Sequence, residues 1–206
     1  MSEAAVASQA HPIGLIDSDD LRRSRLTVFF RYPLAIPHFI WLAIWGIAAE
    51  IAVFIAWIVA IFTGRVPDGL HRFIAGYVRY SMRVNAYLLL MANPWPPFTN
   101  SRPYPLDVEI APAAAQTRLT VFFRLLLAIP AFILSYIFRL VNTFVAFLTW
   151  FYALFTGRAS EGMKNLSVWL YRYEVQTYAY VFLLTGTYPS LSGAPRVPAA
   201  PTTPAT

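Results

Sequence analysis

The sequence predicts an all-α membrane protein made of two tandem helical hairpins, four membrane-embedded helices in all, with short interfacial segments. Three observations carry this. The chain is 58% hydrophobic and 17% aromatic but only 13% charged, whereas ordinary soluble domains are about 25% charged. From Leu34 to Phe62 the only charged residue is Glu50, a run longer than the ~20 apolar residues needed to cross a bilayer core. The run then recurs. RLTVFFRYPLAIP, from Arg25 to Pro37, returns as RLTVFFRLLLAIP, from Arg118 to Pro130, an offset of 118 − 25 = 93 residues.

At that offset Leu26 to Arg31 match Leu119 to Arg124 without exception. Trp57 meets Trp150, the FTGR at Phe62 to Arg65 meets Phe155 to Arg158, and Arg79, Tyr80 and Tyr87 meet Arg172, Tyr173 and Tyr180. Shared composition does not produce identical Pro, Gly and Arg positions, so the chain is an internal duplication. Its parts are a disordered N-terminus over 1–10, repeat 1 over 11–99, a linker over 100–103, repeat 2 over 104–192 and a Pro/Ala/Thr-rich disordered tail over 193–206.

Within each repeat the elements follow from local pattern. Leu106, Val108 and Ile110 alternate with Asp107 and Glu109, a strand pattern whose counterpart is Ile13 to Asp17. These short strands are expected to pair beside the membrane or to remain extended linkers. Leu21 to Tyr32 sets Leu26, Phe29 and Phe30 on one helical face beneath Arg22, Arg23, Arg25 and Arg31, the pattern of a helix in the headgroup region. Pro33 and Pro37 predict a kink or a fresh helix start, and repeat 2, keeping only Pro130, predicts a straighter entrance. Gly64 and Gly157 stand where a helix C-cap is expected. A second helix is expected over Leu70 to Met91 and over Met163 to Leu184.

Topology rests on the arginines. If all four helices cross, Arg22, Arg23, Arg25, Arg31, Arg102, Arg118, Arg124 and Arg196 share the side of the termini, and Arg65, Arg72, Arg158 and Lys164 lie opposite. The positive-inside bias then puts both termini in the cytoplasm of a bacterial inner membrane. If the arginine-bearing helices only lie in the interface, there are two crossings and the repeats are inverted. Four crossings are the expectation adopted.

Motifs for chemistry are few. The chain has no cysteine. His11, His38 and His71 have no second ligand at helical spacing, so no metal or cofactor is expected. Hydrolase, protease and nucleotide signatures do not occur. The net charge of +6 goes to loops and lipid headgroups rather than to nucleic acid. Arg22, Arg23, Arg25, Arg31, Arg65, Arg118, Arg124 and Arg158 are the candidates for lipid-phosphate contact. Depth matching in each hairpin, with its tip at Arg65 or Arg158, pairs Glu50 with Arg79 or Arg83 and Arg139 with Glu174. Such pairs serve as staples or, alternatively, as a proton or ion path.

The elements RLTVFFR, LAIP, FTGR, RVNAYLLL and PWPPF resemble an uncharacterised bacterial membrane family, domain of unknown function 4389, present in two copies. Repeat 2 departs from the pattern with TYAYVFLL and TYPSL. The resemblance implies the architecture and carries no activity. The functional expectation is therefore non-enzymatic: a scaffold or accessory subunit of a membrane assembly, with other membrane subunits or a second copy, and anionic lipids, as partners. The alternatives are a small transporter or channel using the buried Glu and Arg groups, and a lipid-headgroup-binding protein.

Overall fold

The computed structural model describes residues 11–99 and 104–192, in which each repeat gives one strand followed by helices, seven helices in all, and the two strands form one sheet. Repeat 1 gives β1 (Ile13–Asp17), α1 (Arg25–Phe29), α2 (Arg31–Leu34), α3 (Ile36–Thr63) and α4 (Asp68–Leu88). Repeat 2 gives β2 (Leu106–Ile110), α5 (Arg118–Phe122), α6 (Arg124–Thr156) and α7 (Glu161–Val181). The stretches 1–10, 100–103 and 193–206, read above as termini and linker, lie outside the described residues, as do Arg102 and Arg196.

Proline explains the one difference in element order. Pro33 and Pro37 break repeat 1 into α2 and a new helix with Pro37 in its first turn. Pro130 stands alone inside the continuous α6. Gly64 and Gly157 end α3 and α6 at φ of 74° and 72°, a left-handed backbone that glycine adopts without a Cβ clash.

The repeats are docked reciprocally. The indole N–H of Trp57 on α3 donates to the Val121 carbonyl of α5 at 3.0 Å. Its counterpart Trp150 on α6 donates to the Val28 carbonyl of α1 at 3.1 Å. Both acceptors are carbonyls in the last turn of a five-residue helix. The Gln116 amide donates to the Gly64 carbonyl at 2.7 Å, and the Arg23 amide to the Gly157 carbonyl at 2.9 Å. Every one of these contacts maps onto its partner by the 93-residue offset, so the repeats are related by a pseudo-two-fold axis. The sheet obeys the same operator. β1 and β2 pair antiparallel, and the central pair, Leu15 with Val108, is its own counterpart. The axis therefore passes through that pair and through the place where α4 meets α7, marked by the Tyr171 hydroxyl donating to the Met82 carbonyl at 2.8 Å.

The core lies between the sheet and the long helices. It joins Leu15, Val108, Ile74, Val78, Tyr171 and Val175. The long helices are its outer members. Two helices are long and apolar enough to cross a membrane, Ile36–Thr63 and Arg124–Thr156, and only 28% and 22% of their most apolar windows are buried. A core helix of a soluble protein would be buried far more fully. Here Ile44, Ile47, Ile51, Phe54, Ile133, Ile137, Leu140 and Phe144 face outward.

The expectation of four crossings is corrected on two grounds. The 21-residue α4 and α7 do not meet the same length and apolarity test, because Arg72, Arg79, Arg83, Lys164, Arg172 and Glu174 interrupt them. Moreover, Arg158 bridges Arg22 and Arg65 bridges Ala115. The turns that four crossings place on the far side thus lie against the segments placed on the near side.

Candidate functional site

The charged side chains sort into three groups by what they touch. The first is structural. α4 ends at Leu88, and Leu90 then takes φ of 61°; Leu183 does the same after α7 at 62°. This conformation is strained for a leucine. A buried arginine holds each reversal. The Arg31 guanidinium donates to the carbonyls of Tyr87 and, at 3.1 Å, Ala92, and lies 4.2 Å over the Tyr87 ring. Arg124 donates to the carbonyls of Tyr180 and, at 2.9 Å, Thr185, over the Tyr180 ring at 4.4 Å. Burial lowers the Arg31 pKa to about 10, which leaves it charged at neutral pH. Arg23 is also buried, donating to the Leu90 carbonyl and to Asp19 at 2.7 Å. The expectation that Arg23, Arg31 and Arg124 grip lipid phosphate is corrected: all three are buried, and their terminal nitrogens donate to main-chain carbonyls and to the side chains of Asp19, Asn93 and Gln116.

The second group staples elements together. Arg139 and Glu174 meet at 2.6 Å between α6 and α7, as depth matching places them. Glu50 does not meet Arg79 or Arg83. Arg83 makes a two-pronged pair with Asp107 on β2, at 3.0 and 2.6 Å. Arg79 donates to the Val108 carbonyl at 3.1 Å and stands 3.9 Å from Asp107. Lys164 ties α7 to β1 through Asp17 at 2.7 Å. The register of repeat 1 differs from the one expected: His38 meets Tyr80 at 2.6 Å, and Gly46 lies against Tyr77.

Glu50 instead faces outward. It lines a cavity of about 310 Å³ with Trp57, Arg124, Leu125 and Phe182. The counterpart cavity, about 300 Å³, is lined by Thr143, Trp150, Arg31, Tyr32 and Leu89. Each opens between a long helix and the other repeat's basic segment. Because Glu50 makes no ion pair among the described residues, Glu50→Gln should move stability by no more than about 0.5 kcal/mol, the usual scale for a surface change. Thermal unfolding in detergent checks this, and a loss of several kcal/mol would reveal a partner for the carboxylate.

The third group is exposed and cationic. At one junction between repeats Arg22, Arg25 and Arg158 are exposed, Arg25 donating to the Phe155 carbonyl at 2.9 Å. At the other, Arg65 and Arg118 are exposed beside Gly64. Arg65 shares its charge with Asp68 at 2.9 Å. Leu26, Phe29, Leu119 and Phe122 stand outward next to these arginines, so cationic groups rim an apolar surface. The sequence singled out all five arginines but gave no sign that they gather into two clusters. Trp57 and Trp150 build those junctions, and their identity across the offset was the signal available.

Residues 25–100 and 118–192 each match the family model described as a domain of unknown function (DUF4389). No curated protein matches the chain, and no solved structure matches it.

Proposed function

From a chain that belongs to the DUF4389 family and turns its longest helices outward, we propose a non-catalytic membrane-embedded scaffold that holds anionic lipid headgroups at its two arginine junctions. One observation carries the reading: the apolar outer faces of α3 and α6 are rimmed by Arg22, Arg25, Arg65, Arg118 and Arg158. Apolar side chains favour the hydrocarbon, and each cationic side chain near an anionic surface adds roughly 1 kcal/mol. A scaffold role suits a surface of this kind, which offers other membrane subunits or a second copy a long apolar face. The charges that a transporter would use are instead occupied, Arg83 by Asp107 and Arg139 by Glu174. The bacterial inner membrane with cytoplasmic termini is part of the same proposal, supported by the exposed arginines gathered at the two junctions.

Native mass spectrometry of the protein in gentle detergent tests it. Retained phosphatidylglycerol should fall when Arg22, Arg25 and Arg118 are changed together to Gln, with the fold intact by circular dichroism. Retention equal to that of the unaltered chain would contradict the headgroup reading.

A further inference from the structure

We infer that α3 and α6 do not cross the bilayer but lie along it, within the cytoplasmic leaflet, with the sheet toward water and both arginine junctions among the headgroups. This deepens the membrane reading above and rests on it.

The pseudo-two-fold axis leaves two orientations that treat the repeats alike. An axis in the bilayer plane inverts depth and makes α3 and α6 antiparallel crossings. An axis along the bilayer normal preserves depth. In the second case the C-terminal turns of α3 and α6 share one depth. α1 packs by Val28 against Ala153 and Trp150 near the end of α6, and it leads through α2 into the start of α3. The start of α3 is therefore near the depth of its own end. A 28-residue helix about 42 Å long then has to run along the surface.

Three features decide between the orientations. The first is the sheet. It sits on the axis, so crossing helices would hold Leu15 and Val108 at the bilayer midplane. At about 3.3 Å per strand residue, Asp17, Asp107 and Glu109 would lie within about 7 Å of it along the chain, with Lys164 and Arg83 beside them. Glu109 is exposed. Along the normal, the same axis lets the sheet stand outside the hydrocarbon.

The second is the middle of each long helix. Glu50 lies midway along α3 and is exposed, and Arg139, close to the middle of α6, has a side chain 45% exposed. Crossing helices would present both to lipid at the depth where an ionised side chain costs about 2.5–3.5 kcal/mol or more. Lying along the leaflet, both reach the headgroup level.

The third is charge. Crossing helices separate the junctions, with Arg22, Arg25 and Arg158 on one side and Arg65 and Arg118 on the other, a near-even division. In a single leaflet all five arginines face one anionic surface, as the positive-inside tendency favours. The apolar residues Leu26, Phe29, Leu119 and Phe122 then enter the same leaflet at both ends.

The chain has no cysteine, so single cysteines report position cleanly. Full-length variants carry one cysteine each at Ser24, Asp68, Thr117 or Glu161, all exposed and two at each junction. They are expressed in a bacterial cell and treated with an impermeant maleimide, before and after the membrane is opened. All four should stay unlabelled in intact cells and react once the membrane is opened, with the protein in the membrane fraction after a carbonate wash. Outside labelling of the two positions at one junction would establish antiparallel crossings and overturn the inference. Outside labelling of Asp68→Cys and Glu161→Cys alone would restore the four-crossing arrangement and overturn it too. Recovery in the soluble fraction would instead refute the membrane reading on which the inference rests.

Discussion

Arg31→Ala and Arg124→Ala will each lower the stability of the protein by on the order of 3 kcal/mol, the scale of several lost charge-assisted hydrogen bonds in a buried place. Each guanidinium is 1% exposed and serves two carbonyls at the end of a helix. Without it those carbonyls face a dry interior, and the left-handed Leu90 or Leu183 loses its support. Lysine will restore only part of the loss, because an ammonium lacks the planar fork that reaches both acceptors and covers the Tyr87 or Tyr180 ring. Thermal unfolding followed by circular dichroism in detergent measures the effect. A midpoint unchanged by either alanine would contradict the role assigned to these arginines.

Arg139→Ala will cost more than Glu174→Gln. The two partners are unequally exposed, Glu174 at 2% and the Arg139 side chain at 45%. Removing Arg139 strands a carboxylate in the interior, a change that costs about 3 kcal/mol toward the lower end for a broken buried pair, since Arg139 is itself partly solvated. Removing Glu174 leaves a cation that turns outward. Arg139→Leu combined with Glu174→Leu should recover most of the loss. The pH dependence follows with a definite sign. Burial raises the Glu174 pKa, and Arg139 opposes the rise. Without Arg139 the folded state holds this proton more tightly than the unfolded chain does. Stability of Arg139→Ala therefore falls as pH rises from the ordinary carboxylate range through the raised one. Equal losses for the two single variants, or a flat pH profile for Arg139→Ala, would contradict the pairing.

The duplication, the breaks at Pro33 and Pro37, the glycine ends of α3 and α6 and the strand over Leu106 to Ile110 were all legible, because each depends on residues close together in the chain. The Arg139–Glu174 pair was legible for a related reason: both residues lie in one repeat, on consecutive helices. What failed was what depends on the other repeat. Arg83 has its carboxylate on a strand 24 positions away, outside the hairpin in which a partner was sought. Arg23, Arg31 and Arg124 read as surface cations, and only the fold of the segments after α4 and α7 shows that they face carbonyls. Four crossings were expected because α4 and α7 are apolar enough to suggest spans, whereas Arg79, Arg83 and Lys164 on them turn to the sheet. The docking of each FTGR turn on the opposite repeat has no local signature.

That reciprocal docking is the claim from which the pseudo-two-fold axis and the arrangement in the leaflet follow. Antiparallel bridged residues lie about 4.5–5.5 Å apart at Cα, within the range that a disulfide spans. In the cysteine-free chain, cysteines at Arg22 with Arg158, and at Arg65 with Ala115, test the two bridges directly. Mild oxidation of either double variant in membranes should give an intramolecular disulfide in high yield, seen as a thiol-sensitive mobility shift of the monomer. The cross pairs Arg22 with Arg65 and Ala115 with Arg158 should give none. Efficient closure of the cross pairs, or no closure of the bridged ones, would contradict the exchange of contacts between the two repeats.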